Sequence, residues 1–245
     1  LLGSTAKIIT IFDTIYSVLL TFMGSAMIRS LLAIALAATV SLPTALSAGE
    51  LSIGASVLGK AGINATETPE FTKTDYNINS MPDIGVSALY LFSNNSNTGV
   101  MLDLGYDSYS YRMRYYEANP LFDGAIMTHS VRKISIAPSL YLGGFQLGVA
   151  FGMNSGYAQL DNDGNTLSDN DSDVPGFTTE LRVGAMIPIM RGKTSSLNLN
   201  IRGGYMLTET FTNAQRALNS AISPTHNSKI ASLGLGLSYY FTVVD

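Results

Sequence analysis

Cysteine is absent from this sequence of 245 residues, which excludes a disulfide framework, a thiolate zinc site and a cysteine nucleophile. Histidine is almost as scarce: His129 and His226 are the only two, too few for a His-rich metal centre. Charged residues make up 13% of the chain, against ~25% in a typical soluble domain. The formal net charge is −4, so no basic nucleic-acid binder is expected, because phosphate neutralisation needs clustered cations. Hydrophobic residues reach 46%, and charge this sparse also argues against disorder.

Apart from the first 48 residues, the chain lacks a continuous apolar run long enough to cross a bilayer as a helix. Residues 27–48 read as a secretory signal peptide. Met27-Ile28-Arg29-Ser30 supplies a cationic start, Leu31 to Val40 an apolar core, Pro43 a helix break and Ala45-Leu46-Ser47-Ala48 small residues for a peptidase. Cleavage after Ala48 makes Gly49 the mature start. Residues 1–26 form an upstream extension of uncertain status. Its apolar stretch, Ile8 to Met23, is shorter than the ~20 residues of a span and carries Asp13.

What the rest of the chain does have is alternation. From Ser232 to Phe241, Leu233, Leu235, Leu237, Tyr239 and Phe241 share one face, and Ser232, Gly234, Gly236 and Ser238 the other. Period two is strand periodicity, and a face of glycine and serine alone is not the solvated side of an ordinary sandwich. The pattern recurs at Leu51–Val57, Val100–Tyr106, Phe145–Met153 and Leu197–Ile201, and less cleanly at Ile84–Phe92, Ile134–Leu142 and Thr179–Ile189. Eight strands result. Short connections (Asn94–Asn97, Leu142–Gly144, Arg191–Ser195) alternate with long ones (Lys60–Asp83, Tyr116–Met127, Ala158–Phe177, Thr208–Ser228).

This rhythm predicts an all-β fold: an eight-stranded antiparallel up-and-down transmembrane β-barrel over residues 49–245, preceded by a helical signal peptide. Tight turns then lie on the periplasmic side and long loops outside. Closure lets every backbone group pair within lipid. A soluble lipocalin-like barrel would reverse the two faces.

The strand spacing and the terminal Gly236-Leu237-Ser238-Tyr239-Tyr240-Phe241 resemble the small outer-membrane barrels of the OmpA/OmpX type. The resemblance implies that Gly236, Tyr239 and Phe241 carry the signal read by the barrel assembly machinery, and that the protein lies in the outer membrane of a Gram-negative cell.

With the apolar face toward lipid, Asp103, Asp107, Lys133, Glu180, Arg182 and Arg202 point inward. An eight-stranded barrel has room only for side chains, and a balanced set of buried charges can pair, so a plugged lumen is expected. The alternative is a narrow pore opened by rearranged Glu180 and Arg182 pairings. At the outer rim, Arg112 and Arg114 share parity with the lipid-facing Leu102 and Leu104. A tilted strand climbs about 2.3 Å per residue, which lifts Arg112 ~30 Å above Thr98 and just beyond the ~25 Å apolar band. Arg132 is expected at matching parity and similar height. Three guanidinium groups there would grip lipopolysaccharide phosphates.

The third long loop holds Asp161, Asp163, Asn165 and Asp169, an oxygen-rich cluster of the kind calcium takes, although Ser172 stands where a bidentate acid would be needed. A solvated acidic loop is the plainer reading, and no cofactor is expected. Barrel lipases use His and Ser, but His129 and Ser130 are neighbours on a strand and face opposite ways. His226 and Ser228 have better parity. The functional expectation is therefore a monomeric structural and surface-contact barrel. Its partners are outer-membrane lipid, lipopolysaccharide, the assembly machinery, and host or surface ligands at the loops. A small channel of the OmpW type is the alternative, and a lipid A hydrolase the outsider.

Overall fold

The computed structural model describes residues 49–66, 72–93, 97–115, 124, 126–169, 174–211 and 228–244. The expected signal peptide and upstream extension lie outside these residues, as does His226. The strands are β1 (Glu50–Asn64), β2 (Thr72–Ile78), β3 (Asp83–Leu91), β4 (Thr98–Tyr115), β5 (Ile126–Leu142), β6 (Phe145–Leu160), β7 (Thr166–Ser168), β8 (Phe177–Arg191), β9 (Ser195–Met206) and β10 (Ile230–Val244). All pairings are antiparallel, and β10 pairs with β1 from Ile230↔Asn64 to Val244↔Leu51, which closes the sheet on itself. β7 pairs only with β6, and β2 and β3 share the place between β1 and β4. The ring thus has eight strand positions, as the alternation implied.

Sequence chemistry accounts for the connections. Between β5 and β6 the chain turns at Gly143 (φ 60°) and Gly144 (φ 99°). A two-residue hairpin of this kind needs positive φ at both central positions, which glycine adopts without strain. In β8 the register slips between Pro188 and Met190, where proline has no N–H to give the ladder.

The expected long loop from Lys60 to Asp83 is a correction. β1 continues to Asn64, and the return is a strand broken at Asn79–Pro82 rather than a loop. Asn79 bridges the break: its backbone N donates to the Lys60 carbonyl at 2.9 Å, and its side-chain amide donates to the Ser108 carbonyl. Toward the long loops, β5 begins at Ile126 and β6 runs on to Leu160, so the wall rises higher than the period-two apolar pattern.

The outward face is apolar and uncovered. Leu235 is 58% exposed, Val183 50% and Leu147 49%, and the outward positions of β1, β3, β8 and β10 repeat the pattern. Inside, two apolar layers bracket a polar one. Leu89, Met101, Met186 and Tyr240 pack at the short-turn end. Tyr109, Tyr111, Met113, Val131, Tyr157, Met206, Phe211 and Ile230 pack toward the long loops. Small inward residues make room for these rings. A Cβ on Gly54 would come within 2.6 Å of the Tyr240 ring.

Candidate functional site

The polar layer between the two apolar ones is built around Tyr109 and Arg182. Arg182, inward on β8, donates from Nε to Glu180 Oε2 at 2.9 Å and from Nη2 to Asp107 Oδ2. The same Nη2 reaches the Tyr109 hydroxyl oxygen at 3.0 Å, and that hydroxyl donates to Glu180 Oε2 at 2.5 Å. Ser135 Oγ donates to Asp107 Oδ2 at 2.5 Å. Asp107 and Glu180 are each held by a guanidinium and a hydroxyl, which is how buried carboxylates are accommodated.

Two ammonium groups flank the Tyr109 ring. Lys60 Nζ lies 3.6 Å from its centroid and Lys133 Nζ 4.6 Å, both within cation–π range. Lys60 also pairs with Asp83 Oδ2 at 2.6 Å, while Asp83 Oδ1 accepts from the Ser108 backbone N at 2.8 Å. Lys133 has a softer neighbour, Met206 Sδ at 3.3 Å. Nearer the short turns, Arg202 Nη2 stands 3.4 Å from Asp103 Oδ2, and Ser87 Oγ donates to the other oxygen of Asp103. The structure therefore brings Asp107, Lys133, Glu180 and Arg182 into one cluster, with Asp103 and Arg202 as a neighbouring pair.

Sequence reasoning missed Lys60, Asp83 and Tyr109. The first two lay within the stretch read as a loop. A tyrosine that joins two carboxylate–guanidinium contacts has no local signature, although its parity with Asp107 placed it inward. Small gaps adjoin this layer among the described residues. Two cavities lined by Asp103, Arg182 and Arg202 among others measure about 10 Å³ each, roughly room for one water.

The outer rim differs from expectation in one respect. Arg112 and Arg114 are exposed on the outward face of β4. Arg132, however, stands opposite Ser108, whereas Arg112 stands opposite Thr128 and Arg114 opposite Ile126. Four residues of a tilted strand put Arg132 about 9 Å lower, at the edge of the apolar band rather than level with the others. Height depends on the β4–β5 register, which parity does not reveal. Lys73, in register with Arg114, adds a cation on β2.

The acidic hairpin after β6 closes on itself. Asp161 Oδ1 accepts from the backbone N of Asp163 at 2.9 Å and of Asn165 at 2.8 Å, and Oδ2 accepts from Asn165 Nδ2 at 3.0 Å. These bonds, the Asn165 side chain first, hold the Asp161 carboxyl below the usual carboxylate range. They also occupy oxygens that a cation would need. Asp163, Asn165 and Asp169 are exposed, and no group of three His, Asp or Glu residues gathers among the described residues. His129 is buried in the upper lumen, stacked on Tyr111 at 5.0 Å and with Nδ1 3.0 Å from the Tyr157 hydroxyl. Ser130 faces the other way, so the two do not form a nucleophile–base pair.

On β10, Tyr239 and Phe241 are outward and 52% and 40% exposed. Gly236 turns inward, where a Cβ would collide with Val57 and Leu58 of β1. These positions of the expected assembly signal are thus on the closing strand, at the seam with the first.

An apolar wall around a closed ring and a charged interior belongs in a bilayer, and antiparallel barrels with short turns at one end are built for the outer membrane of Gram-negative cells. No family model and no curated protein matches the sequence. Among solved structures, the chain is similar to Neisserial surface protein A, at 12% identity and TM-score 0.37 over 78% of this chain and 96% of that one. It is also similar to the attachment invasion locus protein Ail of Yersinia pestis, at 14% identity and TM-score 0.32 over 79% and 99%. A third is the outer membrane protein OprG of Pseudomonas aeruginosa, at 12% identity and TM-score 0.31 over 79% and 96%.

Proposed function

We propose that this protein is a non-conducting surface barrel: a rigid scaffold whose lumen is plugged by its own side chains and whose outer rim and loops make the contacts. The observation that carries this reading is the lumen layer of Lys60, Asp83, Asp107, Tyr109, Glu180 and Arg182, joined by short hydrogen bonds, with cavities of about 10 Å³ beside it. A hydrated ion needs far more room than one water. Opening a path would separate buried ion pairs, which is strongly unfavourable when one partner is left behind. The aromatic cluster above and the Tyr240 cluster below close the ends of this layer.

Contacts then fall to the outside. The rim cations Arg112, Arg114 and Lys73 suit the phosphates of outer-leaflet lipopolysaccharide, Arg132 lies lower at the edge of the lipid, and loops on a rigid scaffold are where ligand recognition concentrates. The terminal Gly236, Tyr239 and Phe241 serve as the assembly signal.

Planar-bilayer recording tests the plug. Folded protein, identified by its altered gel mobility when unheated, is expected to insert without resolvable ion current. Steady openings by the folded protein would overturn the plug and make the protein a small channel.

A further inference from the structure

The barrel wall carries a cleft on its outside. It measures about 340 Å³ and is lined by Asn77, Ser80, Ser110, Arg112, Thr128, Ser130, Asp161 and Asn162, with the apolar Ile78, Ile126 and Leu160 at its sides. Its floor is the outward face of β4 and β5, where Ser110 faces Ser130 and Arg112 faces Thr128 in register. One side is the end of β2 at the strand break, fixed to the floor by Asn77 Nδ2 donating to Ser110 Oγ at 2.7 Å. The other is the turn after β6, whose shape Asp161 holds.

Height and chemistry together say what fits there. Directly below the cleft the outward pair on these two strands is Ser108 and Arg132, followed by Tyr106 and Ile134, then Leu104 and Ile136. Ser110 lies about 28 Å along the barrel axis from Thr98, just above the ~25 Å apolar band. The cleft therefore opens sideways at headgroup level, with lipid-facing wall beneath it. Hydroxyls line the floor, amides the sides, and a guanidinium stands at one edge. Asp75 is in register with Arg112, but its Oδ1 accepts from the Tyr76 backbone N at 2.9 Å, and Arg112 takes no part in the ion pairs of the lumen.

We infer that this cleft binds the sugar-phosphate headgroup of an outer-leaflet glycolipid. The phosphate meets Arg112 and the sugar hydroxyls meet Ser130 and Asn162, over a floor closed by the buried Thr128 and by Ser110, whose hydroxyl accepts from Asn77 and donates to Asn79. The acyl chains run down past Arg132, at the band edge, to Tyr106 and Ile134. The inference rests on the surface-contact reading but not on the closed lumen, so a conducting protein could still bear it out.

The test is retention of lipid A by the full chain in phosphatidylcholine nanodiscs, read as the bound adduct by native mass spectrometry. Arg112→Gln is expected to weaken retention about tenfold, the worth of one charge-assisted contact. Ser130→Leu, which fills the floor, is expected to do the same, whereas Arg191→Gln, at the short-turn end of β8, leaves it unchanged and Arg114→Gln, on the rim but outside the cleft, weakens it less than Arg112→Gln. Displacement by soluble glucosamine 1-phosphate would identify the free sugar phosphate as sufficient. Failure to displace would show that the headgroup must arrive on its acyl anchor. Retention unaffected by Arg112→Gln and Ser130→Leu overturns the inference. Equal losses from Arg112→Gln and Arg114→Gln also overturn it, in favour of diffuse rim charge.

Discussion

Arg182→Met is expected to destabilise the barrel by about 3–5 kcal/mol, because it removes one cation and leaves two buried carboxylates behind. The guanidinium is the shared donor to Asp107, Glu180 and Tyr109. Its side chain is only 8% exposed, so water cannot replace it without opening the lumen. Lys133→Met is the contrast. Lys133 forms none of the lumen ion pairs described, and its ammonium meets only the Tyr109 ring and Met206 Sδ among the contacts described. Exchange for an uncharged chain of similar length is expected to be neutral or stabilising. Urea titration of folding into lipid vesicles, followed by gel mobility, measures both. Adding Asp107→Asn and Glu180→Gln to Arg182→Met is expected to recover most of the loss, since the effect belongs to the network and not to packing. Equal tolerance of Arg182→Met and Lys133→Met would show that the layer is wet.

The second large effect concerns the wall. Leu235 is 58% exposed near the middle of β10, paired with Ile201 on one side and Gly59 on the other. Leu235→Arg is expected to cost about 2–4 kcal/mol, the penalty of a cation facing lipid at mid-depth. Ser130→Arg, also outward but above the apolar band, is expected to cost about 0–1 kcal/mol by the same rule. A soluble barrel would rank them otherwise, since an exposed leucine in water is replaced by arginine at little cost. The same titration in vesicles of varied thickness sharpens the comparison.

Where the chain crosses lipid, its fold was legible, because the bilayer imposes a difference between the two faces. Leu233, Leu235 and Leu237 against Ser232, Gly234 and Ser238 is a pattern that lipid on one side and a crowded lumen on the other require. Above the membrane that contrast vanishes. In β2, Lys73 and Asp75 stand on one parity and Thr74 and Tyr76 on the other, so nothing marks the segment as a strand. That is why Lys60 to Asp83 reads as a loop, and why Lys60, Asp83 and Lys73 escaped notice. Parity alone gives the lumen charges but not their pairing. Asp107 and Arg182 meet across the barrel, and only the register of every intervening strand decides that. The cleft on β4 and β5 was invisible for a related reason: its sides come from the strand break and the β6 hairpin, neither of which the alternation shows.

One measurement reaches both halves of the account, the lipid-facing wall and the filled lumen. The chain has no cysteine, so single cysteines can be placed at adjacent residues without background. The pairs are Leu237 with Ser238 and Ile136 with Ala137, where the even residue of the first pair and the odd residue of the second are buried in the lumen, at 2% exposure each. In the bilayer-folded protein, fluorophores attached before folding at Leu237→Cys and Ile136→Cys are expected to be quenched by lipid-borne quenchers. The thiols of Ser238→Cys and Ala137→Cys are expected to resist a water-soluble maleimide until the protein is unfolded. Rapid labelling of the inward pair in folded protein would contradict the plugged lumen, and absence of lipid quenching at the outward pair would contradict the barrel's place in the membrane.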